Sequence, residues 1–499
     1  MRARRWALHP PPIRHLPLET MSDSSSHSAS GRAHPVLVTA ICAGAMFMEM
    51  LDGTIILTAF PRMAVDFHTR PVELSIGVTS YLLALAAILP ASGWIADRFG
   101  TRRIFLLAVI GFMMTSVLCA LSGTLLQFAG ARVLQGASGA LMSPVARMAM
   151  VRSVRGARLA KAMNLCAMMA LLGPAIGPPL GGWLATYWHW QWIFLINIPV
   201  GVGGWLLARA ALPDYRAERP RVFDRAGFLL NAAALMTALY GLEALSKSGG
   251  DRRVAFGMIA AGLALSVLAV RHARRLPQGL IDILPLKVAS FRDGLVGGIF
   301  FRLAIFAPVF ILPLLLQLGL GLDAFTAGLY IMVAAGADVM TKVLVLPVLR
   351  GYGFRRVLIA SSILYGLFPL LLVLVDTHTP GRLIIALLFF GGCTRSFHMS
   401  ASNMIIYAEL PPERINGGST LAALAQQVTM ALAVAFAALL VDLSANRLGV
   451  AAGAVTLRDF RAALLLSGVS SFLALHWYLR LHHEAGAALS GHSRPLARD

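Results

Sequence analysis

Apolar residues follow one another along this chain in long, unbroken stretches, without the alternation of a half-buried strand or the single stripe of a surface helix. The polar breaks between them are short. About 20 apolar residues are needed to cross a hydrocarbon core of about 30 Å. Fourteen stretches qualify: 36–58, 73–95, 104–122, 124–149, 162–184, 191–211, 227–246, 254–271, 294–319, 324–349, 356–376, 382–407, 417–441 and 461–480. Continuous apolarity favours helices over a β-barrel, because a helix satisfies its backbone hydrogen bonds within the segment. The pattern predicts an all-α membrane protein.

Composition agrees with this reading. The 499 residues are 58% hydrophobic and 13% charged, with a mean hydropathy of +0.73, far from the values of a soluble domain. A formal charge of +20 raises nucleic acid as a partner, but the placement of the charge argues for topology. Of the 43 Lys and Arg, with those within two residues of a span's end counted with the adjoining loop, 30 fall in the tails and alternate loops of one side, 9 in the opposite loops and 4 inside spans. That asymmetry follows the positive-inside rule and predicts that both termini are cytoplasmic; no nucleic-acid partner is expected. Clusters such as "RSVRGARLAK" (152–161) also suit anionic lipid heads, although topology alone accounts for them. Cys42, Cys119, Cys166 and Cys393 fall within the predicted spans without paired or metal-type spacing, so neither disulfides nor a metal site are expected. Residues 1–35 hold Pro, Ser and Arg but no apolar core, which predicts a disordered cytoplasmic tail without a cleavable signal peptide. Met21 is an alternative start.

Two basic turns carry the same pattern. "RFGTRRIFLLA" (98–108) and "GYGFRRVLIAS" (351–361) match at one constant offset, Gly100, Arg102 and Arg103 against Gly353, Arg355 and Arg356. Parallel repeats in transporters leave such a trace. The implied organisation is a tail 1–35, a six-helix half 36–211, a two-helix insertion with cytoplasmic linkers 212–292, a second six-helix half 293–480 and a tail 481–499.

Charges inside the predicted spans are the candidate chemistry, since ionisable groups in lipid are costly and default to functional roles. "FMEMLDGTIILTAFP" (47–61) holds Glu49 and Asp52 at mid-span, and "ARVLQGASGA" (131–140) holds Arg132 and Gln135. A mid-bilayer Arg costs ~2.5–3.5 kcal/mol on insertion scales unless it meets a partner, and Asp52 lies at a similar depth. "GWIADRFGTRR" (93–103) puts Asp97 at a helix C-terminus, where the macrodipole disfavours a carboxylate. Arg98, Arg102 and Arg103 are within reach to compensate it, while Gly93 and Gly100 would allow close packing and a tight turn; an ordinary charged loop is the plainer reading. In "GPAIGPPLGGWL" (173–184), Gly173, Gly177 and Gly181 form a smooth stripe, and Pro174, Pro178 and Pro179 predict a kink. The second half adds Arg302, Asp338, Lys342, Arg395 and His398. Asp338 and Lys342, four apart, are expected to pair on one helix face. Arg302 and Arg395 have no evident local partner and face either a cavity or backbone carbonyls.

Together these residues resemble the major facilitator superfamily, and within it the fourteen-span drug:H+ antiporter branch (EmrB/QacA type). "GWIADRFGTRR" is similar to the superfamily turn GxLaDrxGrkxxl at Gly93, Ala96, Asp97, Arg98, Gly100 and Arg102, and departs from it at Ile95 and Thr101. "RVLQG" resembles RxxQG at Arg132, Gln135 and Gly136, and "GPAIGPPLGG" resembles the antiporter signature gxxxGPxxGG at Gly173, Gly177, Pro178, Gly181 and Gly182. "WHWQWIFLINIPVG" (188–201) is similar to the branch's run after the fifth span. The first span resembles LDxTIVNVALP at Asp52, Thr54, Ile55 and Pro61, with Leu57 in place of an Asn.

The resemblance implies a secondary transporter of a bacterial inner membrane that exports drugs or small amphiphilic molecules in exchange for protons by alternating access. Asp52, Glu49 and Arg132 would couple the proton, while Gln135, Arg302, Arg395 and His398 would line the substrate cavity. The Gly93, Asp97, Arg98, Gly100 and Arg102 turn would gate the cytoplasmic side by latching near Asn416 to Ser419. Small molecules, protons and membrane lipid are the implied partners, with no cofactor and no enzymatic activity; envelope partner proteins stay open. The chain has neither a Gly-x-x-x-x-Gly-Lys-Ser/Thr loop nor a His-Glu-x-x-His pattern. An exporter or exchanger of a small organic anion is the alternative, ahead of a sensor or a lipid enzyme built on "LHHEAG" (481–486).

Overall fold

The computed structural model describes residues 34–154, 157–217, 223–246, 252–276, 282–447 and 456–487, and all regular structure among them is helical. The expected N-terminal tail, most of the C-terminal tail and the 247–251 loop lie outside the described residues. The chain forms α1 (Pro35–Asp66), α2 (Pro71–Phe99), α3 (Thr101–Ala120), α4 (Leu125–Ser153), α5 (Ala157–Tyr187), α6 (Trp192–Ala211) and α7 (Arg225–Ser246). It continues with α8 (Arg252–Arg275), α9 (Ala289–Gly319), α10 (Ala324–Leu372), α11 (Gly381–Ala408), α12 (Ile415–Arg447) and α13 (Leu457–Arg480). Twelve of these are long and apolar enough to cross a membrane.

That count differs from the expected fourteen at two places. The first is α4, which holds the 124–149 stretch but is diluted by Arg132, Gln135 and Arg147 and does not qualify. The second is α10, whose 49 residues join the stretches 324–349 and 356–376. At 1.5 Å per residue this helix would extend about 70 Å, over twice the hydrocarbon thickness. Gly353 interrupts it with φ 74° and ψ 162°. Gly100, its counterpart between α2 and α3, has φ 99°. Both repeated turns therefore need a residue without a Cβ.

Among α1–α6, α1 packs on α5 and α2 on α4; among α9–α13, α9 packs on α13 and α10 on α11. α5 meets α10 and α2 meets α12, joining these two groups of helices. α7 and α8 pack on each other, and α7 reaches α2 and α12. The outer helix α8 exposes Leu263, Val267, Leu268 and Val270, a surface suited to lipid. α5 is assigned as one continuous helix through Pro174, Pro178 and Pro179.

Candidate functional site

Five helices converge on Asp52. Arg132 and Gln135 are three residues apart and share one face of α4. Arg132 Nη1 donates to Asp52 Oδ2 at 2.7 Å, and Gln135 Nε2 donates to Asp52 Oδ1 at 3.0 Å. From α6, Asn197 Nδ2 donates to the same Oδ1 at 2.9 Å, and from α3, Ser116 Oγ accepts from both amides. Arg132 Nε reaches the Gly77 carbonyl of α2, and its guanidinium lies 4.3 Å from the centroid of the Tyr81 ring. Gly136 makes the approach possible, because a Cβ there would lie 2.2 Å from the Tyr81 carbonyl oxygen. Asp52 is 2% exposed and Arg132 0%. The pair is thus sealed from solvent, and removing either partner strands a charge at about 3–5 kcal/mol. Gln135, expected to line a substrate cavity, is instead a buried member of this cluster.

Glu49 sits one turn before Asp52, buried, with Ser143 and Arg147 of α4 as neighbours. Arg147 is exposed and reaches Met46 Sδ at 3.7 Å.

The turn after α2 is built differently from the expectation. Asp97 pairs with Arg152 of α4 at 2.8 Å, not with Arg98, Arg102 or Arg103. The carboxylate lying against the start of α12 at Gly417 is that of Asp282. A strap over 212–217 covers the turn: the Thr101 amide donates to Tyr215 O, the Arg102 amide to Asp214 Oδ1 at 3.1 Å, and the Ala217 amide to Asp97 O. Arg102 also donates to the Arg209 carbonyl, Tyr215 Oη meets Ser153 Oγ, and Arg98 is exposed. Gly93 faces open space; no close packing there requires a glycine.

The glycine stripe of α5 does bring backbones together. A Cβ on Gly181 would lie 2.1 Å from the Ile55 carbonyl oxygen of α1, and one on Gly177 would lie 2.4 Å from Thr54 Oγ1; Gly173 faces Met50 and Leu51. Gly182 points the other way: its Cβ would lie 2.1 Å from the Ala324 carbonyl oxygen of α10, while a Cβ on Gly328 would meet Pro178 O at 2.4 Å. Around this junction Phe60 meets Phe310, Tyr187 meets Phe325, Gln317 donates to the Thr58 carbonyl, and Arg70 pairs with Asp442 of α12.

In the second half three expectations change. Arg395 has an acid partner: its Nη2 lies 3.2 Å from Asp338 Oδ2, and Lys342 Nζ lies 3.3 Å from Oδ1 of the same carboxylate. His398 is 0% exposed, ringed by Ser361, Ser362 and Tyr478 and stacked on Phe301. It fills the packing of its half and lines no open surface. Arg302 is likewise buried and donates to Asn403 Oδ1 at 3.0 Å.

The comparisons with known proteins agree with this architecture. The model of the Major Facilitator Superfamily matches residues 42–350 and 294–497. The putative multidrug resistance protein MdtD of Serratia proteamaculans is 35% identical over 401 residues, covering 80% of this chain and 84% of that protein. Its namesake in Pectobacterium carotovorum is 36% identical over 403 residues, covering 81% and 86%. Among solved structures, a D-xylose-proton symporter superposes with a TM-score of 0.65 at 15% identity, covering 90% of this chain and 99% of that one. A bacterial homologue of the human lysosomal transporter Spinster, inward-facing and unoccupied, gives 0.61 at 15% identity, covering 94% and 100%. Those two likenesses carry the fold alone. With the family model extending over nearly all of the described residues, and relatives above 30% identity over four fifths of its length, this chain belongs to the Major Facilitator Superfamily of secondary membrane transporters.

Proposed function

We propose that this chain is a proton-coupled exporter of drugs or other small amphiphilic molecules in a bacterial inner membrane. The observation that carries the reading is the Asp52 cluster. One buried carboxylate accepts three hydrogen bonds from two helices of its own half, α4 and α6, and a proton arriving on it displaces at least one donor. Protonation and the packing of α1 against α4 are then one event, which is what coupling requires. The names of the MdtD relatives support drugs as the cargo class. In purified full-length protein reconstituted with an imposed proton gradient, ethidium and related amphiphilic cations should move uphill, with protons released as they bind. Uphill movement without any proton flux would sink the coupling.

Fourteen crossings belong to this proposal, with α4 crossing once and α10 turning at Gly353 to cross twice. The arrangement is six helices, a two-helix insertion and six more, with both termini cytoplasmic. A single cysteine introduced between Lys247 and Arg253 should react with an impermeant thiol reagent added outside intact cells. Reaction only after the cytoplasmic face is opened would invert the whole topology.

In this scheme the turn after α2 is the cytoplasmic gate. The Asp97 and Arg152 side chains are 34% and 37% exposed, so Asp97→Asn should change stability by less than about 1 kcal/mol. It should nevertheless slow turnover while leaving cargo affinity nearly intact. A turnover number equal to the parent's, measured in proteoliposomes, would remove Asp97 from the gate.

A further inference from the structure

Asp338 lies midway along the part of α10 between Ala324 and the break at Gly353, in a helix long and apolar enough to cross a membrane. Its carboxylate is shared by two cations: Lys342 Nζ at 3.3 Å and Arg395 Nη2 at 3.2 Å. Lys342 also donates to Ser400 Oγ at 2.9 Å. The trio therefore holds one net positive charge where an unbalanced charge is expensive. Arg395 Nε also donates to Oδ2 at 3.2 Å, whereas Oδ1 has the Lys342 ammonium at 3.3 Å without a well-aligned hydrogen bond. Charge-assisted bonds to a well-placed carboxylate would be shorter than any of these contacts.

The orientation of Lys342 follows from helix periodicity. At 100° per residue, position 342 lies within about 40° of the face that carries Gly328, and Gly328 meets Pro178 of the first half. Lys342 therefore points toward the first half, below the junction where α5 and α10 touch. Its side chain is 31% exposed and that of Arg395 19%, so both cations are open to an incoming group.

We infer that Lys342 and Arg395 form a receiving site for a carboxylate on the cargo, and that Asp338 is an internal stand-in which the cargo displaces. This rests on the transporter reading and adds amphiphiles that carry an acidic group to its cargo. Arriving anions satisfy the net positive charge that Asp338 alone leaves. Departing anions are exchanged for Asp338, so the empty site never strands two cations in lipid.

The test is equilibrium binding to the full chain in nanodiscs at one pH, without a gradient, using 1-naphthaleneacetate and its uncharged isostere 1-naphthaleneacetamide. Because nothing is transported, failure of proton coupling would leave the measurement intact. The unsubstituted protein should prefer the carboxylate. Asp338→Asn, which removes the internal competitor and keeps both cations, should raise the carboxylate-to-amide affinity ratio about tenfold, the equivalent of about 1.4 kcal/mol. Adding Lys342→Gln to that variant should return the ratio toward one, while Lys342→Arg in the otherwise unsubstituted chain should keep the preference. Equal affinity for the two probes in the unsubstituted protein overturns the inference, whatever the variants do. So does a ratio that Asp338→Asn leaves unchanged, which would make the trio a pin between α10 and α11.

Discussion

Asp52→Asn is expected to stop uphill transport altogether, reducing cargo accumulation under a proton gradient to the level of empty vesicles. Asn keeps the size of the side chain and can still accept from Gln135 or Asn197, but it leaves Arg132 without its carboxylate. That stranded guanidinium should lower stability by about 3–5 kcal/mol, so loss of transport in the single variant has two explanations. The double variant Asp52→Asn/Arg132→Gln separates them. With both charges gone, the buried amides can pair with one another, and most of the lost stability should return. Transport should not return, because no group in the cluster can then bind and release a proton. Thermal melting in detergent measures the first quantity, and proton release on cargo addition measures the second. A double variant that pumps as well as the parent would show that the Asp52–Arg132 pair serves the fold, and would move the search for the proton site to Glu49 or Asp338.

How far the sequence announced this cluster depended on how each residue declares itself. Asp52 and Arg132 were legible because a lone charge in an apolar stretch demands a partner, and antiparallel neighbours at matching depth supply one. Asn197 was not, although it is the sole Asn in the run 188–201. An amide costs too little in that setting to force an expectation, and the surrounding tryptophans pointed to the membrane interface instead. Ser116 of α3 gave no signal at all, since a hydroxyl in a helix usually bonds its own backbone. The same logic explains the second half. The Asp338–Lys342 pair follows from a four-residue spacing, whereas the Asp338–Arg395 pair spans two helices and 57 positions and has no local signature. In the turn after α2, three arginines close in sequence to Asp97 hid its partner Arg152, because proximity in sequence says nothing about which side chain crosses to another helix. The helical class was legible throughout; the count of crossings turned on a polar helix, α4, and on one glycine φ value within α10.

Two neighbouring glycines of α5 should fail in opposite ways when a single methyl group is added. A Cβ on Gly181 would sit 2.1 Å from the Ile55 carbonyl oxygen, and one on Gly182 would sit 2.1 Å from the Ala324 carbonyl oxygen. Both obstacles are backbone and cannot swing away, so a helix must move, at a typical cost of about 1–3 kcal/mol. What differs is the partner. In the proposed topology and alternating-access cycle, Ile55 belongs to α1 of the same half, which stays packed on α5 in every state, whereas Ala324 opens α10 of the other half, from which α5 parts when the outer side opens. Gly181→Ala should therefore lower the melting temperature without favouring either state. Gly182→Ala should favour the outward-open state by the full clash energy, a factor of about 5–150, and slow transport by obstructing the return. Gln317, which donates to the Thr58 carbonyl across the same junction, is the reporter. As Gln317→Cys it should react with an impermeant maleimide faster by that factor in the Gly182→Ala background, and at the parental rate in the Gly181→Ala background. Equal acceleration in both would mean that α5 yields as one rigid helix and that the stripe does not divide its two faces between fold and motion.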